Sequence, residues 1–179
     1  MATEHDIQDL LQKLDEERAA FFTALDGMSE EAAEFRPPDR TEGEEGWSVK
    51  EQLSHLAEME ATYRAWVQRA VVEANPDLAT GTHPDPVSYR LEVAERVPLR
   101  DHRAELEEQR ARTLAVLDGL TLEEFDRTAR SGFGELSVLQ LMRSFYRHDR
   151  MHRAQVLGLE SDYRPRWGPG GEPDQRRRV

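Results

Sequence analysis

Four stretches of this 179-residue chain repeat apolar residues every three or four positions, and each is bounded by residues that start or stop helices. The first runs from about Thr3 to Gly27, with Ile7, Leu10, Leu11, Leu14, Phe21, Phe22 and Leu25 at helical spacing. The second opens at Ser48, where Ser48 and Glu51 form a capping box, and ends before Asn75-Pro76, because the residue before a proline disfavours helix. Its inner face reads Gln52, His55, Leu56, Met59, Tyr63, Trp66, Val67 and Ala70. The third runs from about Leu99 to Asp118, with Leu106, Leu114 and Leu117 inward and Gly119 as the stop. The fourth starts at Ser137 with Gln140, carries Leu141, Phe145, His148, His152 and Val156 on one face, and stops at Gly158. No internal repeat and no convincing strand pair stands out. The pattern predicts an all-α chain, a four-helix bundle with one long connection.

That connection is the segment from about Pro76 to Pro98, which holds four prolines and His83. It is long for a compact domain, and segments of this kind often act as lids or caps. A short helical turn is expected after Ser29 and another at Thr121–Glu124, a further capping box. Arg36-Pro37-Pro38 through Gly46 reads as loop, and Gly132-Phe133-Gly134 as a break. Beyond Tyr163 the periodicity ends in Pro165, Pro169, Gly170, Gly171 and Pro173. The expected organisation is a bundle domain over residues 1–163 and an irregular tail over 164–179.

Composition excludes several chemistries. There are no cysteines, so no disulfide, no thiol nucleophile and no thiolate metal ligand. Thirty-six acidic against 24 basic residues leave a net charge of −12, which argues against a nucleic-acid partner. The one dense basic run, Arg176-Arg177-Arg178, reads as a solvated chain end. No apolar run is long enough for a membrane span, and the first residues lack a signal-peptide pattern. A cytoplasmic location fits.

Three histidines carry the functional signal. His148 and His152 are one helical turn apart and therefore share a face. Both are in phase with Leu141, Phe145 and Val156 and so point inward. His55, on the second helix, is in phase with Met59, Tyr63 and Trp66. An inward imidazole without a partner is costly to desolvate. If the two helices are neighbours, the three form a metal site. The alternative is three separately hydrogen-bonded core histidines. Neutral imidazole suits Zn, Ni, Cu or Fe(II), and three protein ligands leave a position for water or substrate. A metal there lowers the pKa of a bound water or thiol. In a chain without cysteine, an activated thiol has to arrive as a cosubstrate. Protons compete for histidine ligands, so metal affinity is expected to fall as pH drops through about 6.5 to 5.

The other candidates read more plainly. His5 is solvated near a frayed end, and His102 is expected at the surface. His83 could approach a site from the proline-rich loop. Glu58 reads as a surface carboxylate, with a supporting role toward His55 as the sharper alternative. Asp149 points away from His148 and suits helix packing or a salt bridge. Tyr63 and Trp66 read as core.

Trp47-Ser48-Val49-Lys50-Glu51, then His55-Leu56 and Glu60, resembles the helix-two motif of the DinB-like, or YfiT-like, four-helix proteins. His148-Asp149 followed by His152-Arg153-Ala154-Gln155 resembles their helix-four motif. The resemblance spans roughly residues 3 to 160. It implies an up-up-down-down bundle, a divalent metal held by His55, His148 and His152, and a homodimer. It also implies an activity on small molecules, since some members are thiol transferases using bacillithiol, mycothiol or glutathione and some are isomerases. The leading expectation is therefore a divalent-metal-dependent enzyme, a low-molecular-weight thiol S-transferase or a hydrolase. The competing one is a non-catalytic stress-response or ligand-binding bundle whose metal is structural or absent.

Overall fold

In the computed structural model, which describes residues 1–36, 46–132 and 134–161, the long helices begin on the caps that the sequence marks. Helix α1 spans Glu4–Ala24 and is capped by Thr3, with Asp6 reaching back to complete the box. A single turn, α2, covers Glu30–Glu34 behind Ser29. Helix α3 spans Val49–Val72 behind the Ser48–Glu51 box. A 3-10 helix, Leu91–Arg96, interrupts the long connection before α4, Leu99–Asp118. The short α5, Leu122–Phe125, follows the Thr121–Glu124 box. Helix α6, Val138–Val156, starts behind Ser137 and Gln140. Helix α4 is the exception: Pro98 offers no side-chain cap, and Glu30 of α2 accepts the Leu99 N–H at 2.9 Å instead. Gly158, at φ +67°, lets the chain reverse after α6 so that the Leu159 N–H reaches the Ala154 carbonyl at 2.8 Å.

The four-helix bundle is as expected, but the order of helix directions is not up-up-down-down. Along α1 and α6 the partners rise together, Asp6 with Arg143 and Glu17 with Arg153, so these helices run parallel. Gln52 meets His152 while Tyr63 meets Ser144, so α3 opposes α6. Leu14 meets Arg110 and Asp26 meets Arg103, so α4 opposes α1. The order is up-down-down-up. It makes α3 and α4 parallel neighbours, and a parallel pair needs a connection that returns along the full helix length. The Pro76–Pro98 segment serves that purpose, and Arg69 and Arg64 tie it down. Arg69 donates to the Asp77 carbonyl at 2.8 Å and Arg64 to Asp85 at 3.3 Å.

A second correction concerns strands. Residues on both sides of the 132–134 break pair as an antiparallel hairpin, β1 (Thr128–Ser131) with β2 (Gly134–Ser137). Ala129 and Leu136 lie opposite one another and are both buried, while Arg130 and Glu135 face out. Alternation over four residues per strand is too short to compete with helical periodicity in the sequence. The Asp77 region adds an isolated parallel bridge to Arg130. The expected 164–179 tail, its Arg176–Arg178 run and the 163/164 boundary lie outside the described residues.

At the centre of the bundle each long helix contributes one charged residue to a closed ring. Arg18 of α1 donates to both oxygens of Asp149 on α6, at 3.2 and 3.0 Å, and to Glu60 of α3 at 2.8 Å. Arg110 of α4 donates to the other Glu60 oxygen at 2.6 Å and to Asp149 at 2.8 Å. Each guanidinium also reaches a main-chain carbonyl, Leu106 for Arg18 and Leu14 for Arg110. Glu60 and Asp149 are wholly buried, and the ring carries two positive and two negative charges. Burial opposes ionisation of both Asp149 and Arg18. The facing charges outweigh it, so the Asp149 carboxyl lies below, and the Arg18 guanidinium above, its usual range. Apolar side chains pack on either side of the ring. Leu10, Leu14, Val67 and Phe145 belong to one cluster, and Phe21, Leu25, Leu53, Leu56 and Leu106 to the other.

Candidate metal centre

His55 and the pair His148/His152 come together because α3 and α6 cross as antiparallel neighbours. The Nε2 atoms of His55 and His148 are 3.3 Å apart, and those of His148 and His152 are 3.0 Å apart. One ligand nitrogen from each of the three lies within 4.8 Å of the others. Imidazoles bound to one tetrahedral cation at ~2.0–2.1 Å place their nitrogens roughly 3.3 Å from one another. The spacing of the two measured pairs fits that donor set.

The electrostatics fit as well. Burial, with a contribution from His148, pushes His55 down to about 3. Burial, against the pull of Asp149 and with the push of Arg18, brings His148 down to about 4. Burial and the two neighbouring rings hold His152 well below the ordinary histidine value. All three are therefore neutral at pH 7 and carry the lone pairs that a cation needs. Neutral imidazoles have one N–H each, so three converging Nε2 atoms cannot all satisfy one another. The Nδ1 of His148 is buried and has no hydrogen-bond partner among the described residues.

The surroundings hold two of the rings. Trp47, just before α3, sets its indole edge-on to His55, with centroids 5.0 Å apart. Gln52, one turn into α3 and 4% exposed, points its Oε1 at the Nδ1 of His152, 3.4 Å away. The ring of charges locks the two helices just beyond: Asp149 follows His148 directly, and Glu60 lies on the same helix as His55.

The other sequence candidates fall elsewhere. His5 and His83 are exposed. His102 is a correction: it is 1% exposed, not at the surface, and its Nε2 sits 2.8 Å from the Ala94 carbonyl of the 3-10 helix. Burial holds it neutral and below its ordinary value. The signal was present, because His102 is in helical phase with Leu99 and Leu106, both buried. Glu58 is half-buried and its carboxyl is pushed up by that burial, with the Leu91 main chain as a bonding partner. Its contact is with the 3-10 helix. Asp149 makes the salt bridges expected of it, deeper in the core than a helix-packing role implies. Tyr63 is core, its ring tilted against Phe145 with centroids 5.2 Å apart and with Trp66 beside it at 4.9 Å. The start of the Pro76–Pro98 segment bonds to Arg130 of β1, and its later part meets α3 and α4: Ser54 donates to the Tyr89 carbonyl, and Glu105 accepts from the Ser88 main chain.

A family model described as the DinB superfamily matches residues 13–156. Among solved structures, the chain is similar to YfiT from Bacillus subtilis, described as a probable metal-dependent hydrolase with an unusual four-helix bundle topology. The TM-score is 0.69 and the identity 18%, over 88% of this chain and 87% of that one. It is also similar to the mycothiol-dependent maleylpyruvate isomerase, with TM-score 0.64 and 13% identity. A mutant of that isomerase gives 0.65 and 12%. Both isomerase matches cover 87% of this chain but 63% of theirs, so the chain spans less than two thirds of that protein. No curated protein matches. Among the described residues, no helix is long and apolar enough to cross a membrane.

Proposed function

The chain belongs to the DinB superfamily, and from that premise we propose that it is a divalent-metal-dependent enzyme acting on a small molecule, with His55, His148 and His152 as the metal ligands. The observation that carries this reading is the convergence of three neutral imidazole nitrogens, His152 buried and His55 and His148 half-buried, on one point between two helices. Three imidazoles suit Zn, Ni or Fe(II), and a cation with three protein ligands supplies Lewis-acid activation of a water or thiol in the position left open. The chain's own residues hold the donors neutral, orient them and keep α3 and α6 in register. With no cysteine anywhere in the sequence, a thiol nucleophile would be a low-molecular-weight cosubstrate. Transfer of such a thiol to an electrophile is the most concrete version, and hydrolysis the next. The distant likenesses, one described as a metal-dependent hydrolase and one as mycothiol-dependent, support both. A homodimer is part of the same reading, by family resemblance.

The test begins with elemental analysis of untagged protein purified without chelator. About one equivalent of a divalent metal is expected. Less than about 0.1 equivalent, with no uptake of added Zn(II), Ni(II) or Fe(II), would refute the metal and favour a non-catalytic ligand-binding bundle. A screen of thiol conjugation and of hydrolysis on the loaded protein then separates the two activities. Light scattering reads the oligomeric state.

A further inference from the structure

Gln52 is held in one orientation by the entrance to α3. Its Nε2 donates to the Trp47 carbonyl at 3.3 Å. A carbonyl can only accept, so the amide nitrogen must face Trp47 and the amide oxygen must face away from it. The oxygen faces the Nδ1 of His152, 3.4 Å distant, across the α3–α6 interface. An amide oxygen can only accept in turn, so a bond there requires the proton of His152 on Nδ1. That leaves the lone pair on Nε2, the atom that turns toward His148 at 3.0 Å. Gln52 and His152 are both nearly inaccessible, 4% and 0% exposed, so water does not compete for either group. The Nδ1 of His148 has no such partner among the described residues.

We propose that Gln52 is a positioning residue that fixes His152 as its Nδ1–H tautomer and so aims the Nε2 lone pair at the centre of the three-histidine cluster. A histidine ligand that donates its second N–H to an oxygen is held in ring orientation and made more basic, and loss of that partner typically costs 10–100-fold in metal affinity. The path from chain to site is short. The same turn that caps α3 through Ser48 presents the Trp47 carbonyl to Gln52, and the Trp47 indole meets His55. One loop-to-helix junction thus braces ligands on both helices. The metal half of this inference rests on the proposed metal reading; the tautomer half does not.

The experiment therefore has two arms. In the first, chelator-treated protein labelled with 15N-histidine is examined at pH 7 by long-range 1H–15N NMR, with His152→Ala to assign the signals. Wild type is expected to show His152 with the proton on Nδ1. Gln52→Met, close in length but without an acceptor, is expected to show a mixture or the Nε2–H form. Gln52→Glu, which keeps an acceptor, is expected to retain Nδ1–H. The Gln155 side chain also hydrogen-bonds the His152 ring and is the rival acceptor, so Gln155→Met is the necessary comparison. It is expected to leave the tautomer alone. An Nε2–H tautomer in wild type, or an unchanged Nδ1–H in Gln52→Met, would overturn the assignment. Loss of the tautomer in Gln155→Met alone would move the role to Gln155. In the second arm, Zn(II) affinity is measured by chelator competition. Gln52→Met is expected to bind 10–100-fold more weakly than wild type, with Gln52→Glu restoring affinity. Binding within threefold of wild type in Gln52→Met would remove the functional half of the inference. Failure of wild type itself to bind Zn(II) would strike the metal reading, and the tautomer would still be decided by the first arm.

Discussion

Asp149→Asn is the sharpest single perturbation of this molecule. Asp149 is wholly buried, and all three of its resolved side-chain bonds go to guanidiniums, two to Arg18 and one to Arg110. Asparagine keeps one oxygen but turns an NH2 toward a donor. The ring changes from neutral to one net positive charge. Two attractions are lost and one repulsion, that between Asp149 and Glu60, is relieved. At an effective dielectric of about 20, a pair near 4 Å is worth roughly 4 kcal/mol, so the net loss is about one such pair. The range for removing one partner of a buried ion pair, about 3–5 kcal/mol, agrees. For a chain of this size each kcal/mol moves the Tm by about 2–4 °C, so the melt should fall by roughly 6–20 °C.

The assay is thermal unfolding followed by circular dichroism, on chelator-treated protein, so that any disturbance of neighbouring His148 does not enter through lost metal. Glu16→Gln, which breaks the exposed pair with Lys13 at 2.7 Å, is the control and should not move the Tm resolvably. Arg18→Gln combined with Asp149→Asn removes one charge of each sign, and should cost less than the sum of the two single changes. The acid limb adds a check of sign. The folded-state carboxyl of Asp149 lies below its ordinary 3.8, so its contribution is present above that pH and is lost as pH falls through and below it. Wild type and Asp149→Asn should therefore converge in strong acid. A Tm within 2 °C of wild type at pH 7 would refute the claim that the ring holds the helices together.

Further outcomes are expected. His148→Ala and His152→Ala should each retain helical circular dichroism and drop from about one metal equivalent to below about 0.1; full occupancy in both would contradict the ligand set. Ser137→Ala removes the side-chain acceptor of the Gln140 N–H at the start of α6 and should cost about 1 kcal/mol in a denaturant melt, with no change in metal content. His102→Ala removes one of two donors to the Ala94 carbonyl, the Val97 N–H remaining at 3.2 Å, and empties a buried ring site; it should lower stability by about 1–3 kcal/mol, and a loss near zero would return His102 to the surface. Chelated wild type should lose stability as pH falls from about 6.5, where unfolded histidines take up protons, toward 4, because burial holds His55, His148 and His152 well below the ordinary histidine value in the folded state, with His102 lowered in the same direction. A Tm flat from pH 7 to 5 would show that these groups are not buried as neutral imidazoles.

How much of this was legible depended on the kind of signal. Caps were legible because each is a local exchange of hydrogen bonds between residues three apart, as at Ser48–Glu51 and Ser137–Gln140. The inward histidines were legible because His55 and His152 keep the phase of the leucines around them. The ring of charges was not read, although Arg18 is in phase with Leu10, Leu14 and Phe21, all buried with it. A charged residue within an apolar stripe looks the same whether it edges the stripe or crosses the core. Only its partners on three other helices decide, and those are set by helix order. Helix order was the part inherited from resemblance, and the pairing of Asp6 with Arg143 and of Leu14 with Arg110 reverses it.

Depth of burial also moves the pH at which protons and metal compete. Reference histidine values place that competition between about 6.5 and 5. In the folded chain His148 is held down to about 4 and His55 to about 3, both chiefly by burial, with His152 also far below its ordinary value. Within the folded state, protons thus begin to displace a cation only at more acid pH. Between about 6.5 and 4 it is the unfolded chain that binds protons, and acid weakens the fold before it weakens the site. Metal bound at a hundredfold excess over its Kd adds about 2.7 kcal/mol to the folded state alone, so loaded and chelated protein should keep separate melting temperatures down to about pH 4. The same burial that makes the three imidazoles expensive to place in a helical core keeps them deprotonated, and the ring of charges beside them holds the two helices that carry them in register.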